Sequence, residues 1–282
     1  MMTRRDSLTV LGGGVASQVL VACGTGQLEP EAGELLRLQA RRRSGPEAAA
    51  QEQELLWEPA QTAIIICDMW DRHWCLSASD RVAEMAPAIN RTIEAARALG
   101  VRIVHAPSST IDYYADTEFR KRILAAPKVE PPVPIEAWCY LEEGNEGALP
   151  IDDSDGGCDD DPPSESEAVW TRQHPAIEMK GEDVVSDSGV EIYSYFAQQG
   201  VKNVALMGVH TNMCVLGRSF GIRQMVKLGM DVVLVRDLTD ALYDPRDEPY
   251  VSHERGTELV IEHIERHWCP SVLGEELMDV AA

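Results

Sequence analysis

The chain has 282 residues, 44% of them hydrophobic, with a formal net charge of -22 and a pI near 4.6. That length admits one large domain or two small ones, and the apolar fraction suffices for a buried core. So acidic a chain repels phosphate backbones, which argues against nucleic-acid binding, and its seven cysteines, with no C-x-x-C pair, make neither a disulfide scaffold nor a zinc finger.

At the N-terminus, Thr3-Arg4-Arg5-Asp6-Ser7-Leu8 sets twin arginines before a mild apolar run, Leu8 to Ala22, loosened by Gly12, Gly13 and Gly14. The run is too short for a permanent membrane anchor. It closes on Leu20-Val21-Ala22-Cys23 and resembles a bacterial twin-arginine signal ending in a lipobox, although Ser7 stands where a bulky apolar residue is usual. The resemblance implies that residues 1–23 are an export signal, and that lipid on Cys23 tethers the protein to the extracytoplasmic side of a bacterial membrane or leaves it periplasmic. An uncleaved N-terminus is the alternative. Residues 24–58, rich in Glu, Ala, Gln and Arg, read as a tether with at most a short helix at Glu34–Leu38, and a single domain over 59–282 follows.

Ala63-Ile64-Ile65-Ile66-Cys67 is a continuous apolar run, as a strand buried on both faces requires. Val82, Met85, Ile89, Ile93 and Ala96 share one face of a helix predicted over 81–99, stopped by Gly100. Val101–His105 is a second strand, 116–125 a helix, Ala176–Met179 a short third strand and 189–199 a helix ending at Gly200. Val204–Met207 is a fourth strand, 214–228 one helix ending at Gly229, Val232–Val235 a fifth strand and 253–267 a last helix. Strand–helix units of this length predict an α/β fold: a three-layer α/β/α sandwich around a mainly parallel sheet, with ligands beyond the carboxyl ends of the strands.

Residues 141–166 break the rhythm. They include "IDDSDGGCDDDPP" and read as an acidic insertion or long loop. Asp153, Asp155, Asp159, Asp160 and Asp161 offer carboxylates to a calcium ion, although the helix flanks and closing Glu of an EF-hand are missing; a solvated acidic loop is the alternative.

Three polar residues fall at predicted strand ends. Asp68 follows the first strand, Lys180 the third, and Cys214, in "GVHTNMCVLGRSFG", opens the helix after the fourth. A cysteine at a helix start meets unpaired backbone N–H groups that favour a thiolate and can hold an oxyanion. An Asp takes the thiol proton, a Lys favours the thiolate, and the thiolate attacks a carbonyl. Each also has a structural reading: Asp68 as a turn cap, Lys180 as a surface cation, Cys214 as a small buried apolar residue.

Over about Thr62 to His267 the chain resembles the isochorismatase-like cysteine hydrolase family, which includes nicotinamidases and N-carbamoyl amidases. The most specific match is "LMGVHTNMCVLGRSFGIRQMVKLGMDVVLVRD". The resemblance implies a Cys214-Asp68-Lys180 triad, a cis peptide at Val209–His210 and an oxyanion hole built from the N–H groups of His210 and Cys214.

The chain also departs from the family. "HAPSSTIDYYAD" lacks the metal-binding D-x-H of nicotinamidases, "DMWDRHWC" replaces D-x-Q-x-D-F, and Ser186-Asp187-Ser188-Gly189 stands where F-x-G-T is common. Trp70, His73, Trp74, His105 and Tyr113 are the expected pocket lining. A metal held by His73, His105 and His210 is a competing reading, but no metal and no cofactor is expected.

The expected activity is hydrolysis of a C–N bond in a small amide or ureido substrate through a thioester, by a homo-oligomer. The alternative is a lipid-anchored binding protein that kept the fold and lost turnover.

Overall fold

The structure, a computed structural model, describes residues 34–44, 49–162 and 164–280. The proposed signal, with Arg4, Arg5 and Cys23, lies outside them.

Eight strands form one sheet in the order β2-β1-β8-β7-β6-β3-β4-β5. They are β1 (Leu36–Arg43), β2 (Ala50–Trp57), β3 (Thr62–Cys67), β4 (Arg102–Ala106), β5 (Val184–Val185), β6 (Asn203–Val209), β7 (Asp231–Asp240) and β8 (Ser271–Val272). All pairs from β8 to β5 are parallel, and β1 pairs antiparallel with both β2 and β8. The α/β class with a mainly parallel sheet is therefore as the strand–helix rhythm requires.

The helices are α1 (Leu76–Ala98), α2 (Glu118–Leu124), α3 (Glu143–Glu146), α4 (Gly189–Gln199), α5 (Cys214–Gly217), α6 (Ile222–Lys227) and α7 (His253–His267). The side chains of β3 alternate between two cores. Ile64 and Ile66 pack with Val82, Ile89 and Ile93 of α1. Ala63, Ile65 and Cys67 pack with α4 through α7, for example Phe196, Val215, Met225 and Val260. A strand covered on both faces has no polar side, so its sequence is an unbroken apolar run.

Three expectations need correction. The segment read as a tether is partly the β1–β2 hairpin, and no helix stands at Glu34–Leu38. Leu36, Leu38 and Ala40 are fully buried on one face of β1, while Arg41 and Arg43 on the other bind the buried Glu265 of α7. The alternation L-R-L-Q-A-R-R-R has the strand period of two, which the charge density obscured.

Second, Ala176–Met179 is not a strand; β5 comes later, at Val184–Val185. Third, the helix expected over 214–228 is broken into α5 and α6. Cys139 donates its N–H to the Gly217 carbonyl at 2.7 Å, and Trp138 bridges to Arg218 at the break.

The acidic insertion, exposed over much of its length, is tied down at Glu146. The Glu146 carboxylate, its side chain fully buried, accepts from Arg223 through both oxygens, from His263 Nε2 and from Trp268 Nε1.

Candidate active site

The chain runs β3, β4, β5 outward, then returns so that β6 lies on the other side of β3. Such a reversal opens a crevice beyond the carboxyl ends of the two central strands. Asp68 leaves β3 there, and the turn His210–Cys214 leaves β6 there. The strands are in register as Cys67 opposite Gly208. Gly208 has φ +105, and a Cβ on it would lie 2.1 Å from the Cys67 carbonyl oxygen, so only glycine permits this approach.

Asp68 is fully buried, with φ 47 in the left-handed region. Such a backbone costs a non-glycine residue roughly 1 kcal/mol or more and is held by its partners. One carboxylate oxygen accepts from the Ser108 backbone N–H at 2.8 Å, the other from Arg218 Nε at 2.9 Å.

Cys214 is 8% exposed. Burial pushes its thiol far up; the Asp68 charge and a hydrogen bond to Asp68 add to this, while Arg218 opposes it. The resting group is thus a neutral thiol beside Asp68. The neighbouring His210 backbone N–H also lowers the thiol's pKa, and the Val209–His210 peptide is cis, as the family resemblance implied. Cys214 also opens α5.

Lys180 is not part of this group. It is half exposed and pairs with Glu94 at 3.5 Å and with Glu178. It precedes β5, whereas a residue reaching the crevice must follow it; that place is held by Ser186, bonded to Glu191. The cation beside Asp68 and Cys214 is Arg218, its guanidinium 5.4 Å from the Trp138 ring centroid. Burial works against its charge, but Asp68 wins and raises its pKa further. Helical spacing in the sequence carried no signal for it, because α5 ends at Gly217 and Arg218 is already in extended backbone.

The expected pocket residues separate into three groups. Trp70, His73 and Trp74 gather with Trp170, which the sequence reading missed. Trp70 stacks on Trp170 at 4.4 Å, and the His73 ring lies 5.7 Å from Trp170, 5.1 Å from Trp74 and 4.9 Å from His210. Burial lowers His73 to about 4 and His210 to about 3, so both are neutral at pH 7.

His105 is elsewhere. It is fully buried, with its ring nitrogens on Gln173 and Asp183, where it serves the packing of β4. Tyr113 is exposed and held by Arg172. The set His73, His105, His210 therefore does not converge on a metal. Among the described residues Asp153, Asp155, Asp159, Asp160 and Asp161 form no group of three placed to share a cation: Asp153 accepts from Asn212, Asp155 from the Gly157 N–H, Asp159 from Arg81, and Asp160 from the first turn of α1.

His73 and Trp74 line a cleft of about 480 Å³ together with Arg72, Leu76, Ser79 and Val169. A larger cleft of about 640 Å³, between β2 and Trp268, is lined by none of these residues.

No family model matches the chain, and no curated protein matches it. Among solved structures it is similar to a cysteine hydrolase from Pseudomonas syringae pv. phaseolicola, at 18% identity and a TM-score of 0.49, over 79% of this chain and 93% of that one. It is similar also to an isochorismatase family protein from Burkholderia thailandensis, at 15% identity and a TM-score of 0.44, over 78% and 97% of the two chains. A third is an isochorismatase-like hydrolase from Alkaliphilus metalliredigens, at 13% identity and a TM-score of 0.43, over 78% and 98%.

Proposed function

We propose that the chain is a cysteine-dependent hydrolase that cleaves the C–N bond of a small amide or ureido substrate. The observation that carries this reading is the convergence of three groups: Arg218 Nε donates to the buried Asp68 at 2.9 Å, and the Cys214 thiol lies close enough to both for their charges to shift it.

On attack, the Cys214 proton passes to Asp68 as the sulfur bonds to the substrate carbonyl carbon. While the proton leaves, Arg218 compensates the negative charge developing on the sulfur, in place of the expected Lys180. The His210 and Cys214 N–H groups hold the carbonyl oxygen as it becomes an oxyanion. Asp68 returns the proton to the departing nitrogen, leaving a thioester and a free amine. Water, deprotonated by Asp68, cleaves the thioester and restores the thiol. Substrate enters from the cleft lined by His73 and Trp74, since the His73 ring lies 4.9 Å from that of His210.

A panel of small amides and ureido acids, read by ammonia release, tests this. The expected result is turnover of at least one compound by the wild type and none by Cys214→Ala. Equal release by both proteins would overturn the covalent route. The second reading, a binding protein without turnover, draws on the enclosed, neutral state of Cys214. Iodoacetamide separates the two: a catalytic Cys214 reacts faster than Cys67, Cys75, Cys139, Cys158 and Cys269, all likewise buried, and a retired one does not.

We also propose export, on the twin arginines and the Cys23 context. Changing Arg4 and Arg5 to Lys should retain the precursor in the cytoplasm, and Cys23→Ala should release the protein from membranes. Protein from its native host that still begins at Met1 would count against both.

A further inference from the structure

Cys75 and Cys158 are separated by 83 positions of sequence and brought together by the fold. Their sulfurs lie within 4.8 Å of each other, with a carboxylate oxygen of Asp160. The Cys75 thiol donates to Asp159 Oδ1 at 3.7 Å, and the neighbouring Cys158 helps to raise its pKa. Cys75 is the residue before α1, Cys158 sits in the acidic insertion, and Ala78, Leu242, Trp74 and Met213 pack around the pair.

Two thiols and a carboxylate this close suit either a cation or a disulfide. Asp160 decides between them. One of its oxygens accepts from the Ser77 N–H and the Ser77 hydroxyl, the other from the Leu76 N–H and the Ser164 hydroxyl. A carboxylate has about four acceptor positions, so all are in use. A cation taking Asp160 would uncap α1, whereas a Cys75–Cys158 bond disturbs none of these contacts.

The bond would have consequences for the site. Residues 153–160 reach the β6–α5 turn directly: Asp153 accepts from Asn212, two residues before Cys214, at 2.8 Å. Gly157 packs so tightly that a Cβ would lie 2.3 Å from the Leu242 carbonyl oxygen. Asp159 binds Arg81 of α1, which binds Asp240 of β7. The loop is thus a strap across the start of α1 and the nucleophile turn, held by these polar contacts and by the apolar packing around Cys75 and Cys158.

We propose that Cys75 and Cys158 form a reversible disulfide that fastens this strap. The oxidant is a small disulfide such as oxidised glutathione. A thiolate at Cys158, the more exposed of the two, attacks it and releases one glutathione thiolate. The Cys75 thiolate then attacks the mixed disulfide at Cys158 and releases the second. Two protein thiols lose two protons and two electrons, and one glutathione disulfide becomes two thiols. Both protein thiols are buried and raised in pKa, so exchange is slow at neutral pH and faster in mild alkali.

The test uses the full chain, equilibrated with oxidised glutathione, blocked with N-ethylmaleimide and mapped by mass spectrometry without reduction. A linked pair of peptides containing Cys75 and Cys158 is expected, absent after dithiothreitol. The oxidised protein should melt roughly 5–10 °C above the reduced one, and Cys158→Ser should abolish that difference. Recovery of both cysteines as separate maleimide adducts would overturn the proposal. So would stoichiometric zinc in the purified wild type that Cys75→Ser loses, which would assign the cluster to a metal. The peptide map is read on the wild type and does not depend on whether a variant folds.

Discussion

Arg218 donates its Nε–H to Asp68 Oδ2 at 2.9 Å, joining the first turn of the chain after β6 to the end of β3. The contact sets a buried carboxylate beside a neutral thiol and supplies the positive charge that the thiolate needs when it forms.

Arg218→Ala should therefore lower turnover by about 10²–10³-fold, the scale for removing one electrostatic stabiliser. It should destabilise the fold by about 1–3 kcal/mol, less than for a fully enclosed pair, because water reaches Arg218. Lys180→Ala, on an exposed residue bonded to Glu94 and Glu178, should leave both unchanged. Steady-state kinetics and thermal melts of the two variants decide. Activity lost with Lys180 and kept without Arg218 would reverse the assignment.

Cys214→Ala should abolish turnover while the protein folds. Only one sulfur is removed, at the edge of the core beside the nucleophile turn, and the cost should stay within about 1–2 kcal/mol. The check is a melt alongside the assay. Residual activity above a few per cent would exclude the thioester.

The buried Glu146 should make stability fall in acid. Burial raises its pKa, but bonds from His263, Arg223 and Trp268 prevail and hold it well below the ordinary 4.5. A depressed carboxylate contributes stability that is fully present above its unfolded pKa and is lost as pH falls toward the folded value. Wild-type stability should thus decline below about pH 4.5 more steeply than that of Glu146→Gln. The variant should also be less stable at pH 7 by about 3–5 kcal/mol, since Arg223 loses its carboxylate. Urea melts at several pH values measure both, and parallel curves would remove Glu146 from the account.

His253 works in the opposite direction. Burial lowers its pKa, yet the bond from Nε2 to Asp240 Oδ1 at 2.8 Å and the charge of Asp240 raise it above 6.5. A raised histidine contributes stability that is fully present below pH 6.5 and lost as pH rises through the folded value. His253→Gln should flatten the wild-type decline in that window. NMR titration of the His253 ring gives an independent reading, and a midpoint below 6.5 would contradict it.

The sequence by itself determined the class of fold and two of the three groups in the site. The apolar run Ala63–Cys67 had to be a doubly covered strand, because no polar face interrupts it. Asp68 and Cys214 then had to fall at carboxyl ends, because each follows a strand that local pattern alone identifies. Tertiary structure decided the rest. β5 has only two residues and is a strand because β4 pairs with it, so its position, and with it the exclusion of Lys180, left no periodic trace. The role of Arg218 depends on β6 lying beside β3 and on Trp138 interrupting the helix after Cys214, contacts made across about 80 and 150 residues that no local pattern encodes. The β1–β2 hairpin became part of the sheet because Arg41 and Arg43 meet Glu265 of α7, an ion pair whose partners are 224 and 222 residues apart. Short-range periodicity specifies what a segment prefers; burial and pairing between distant segments specify which of those preferences the folded chain uses.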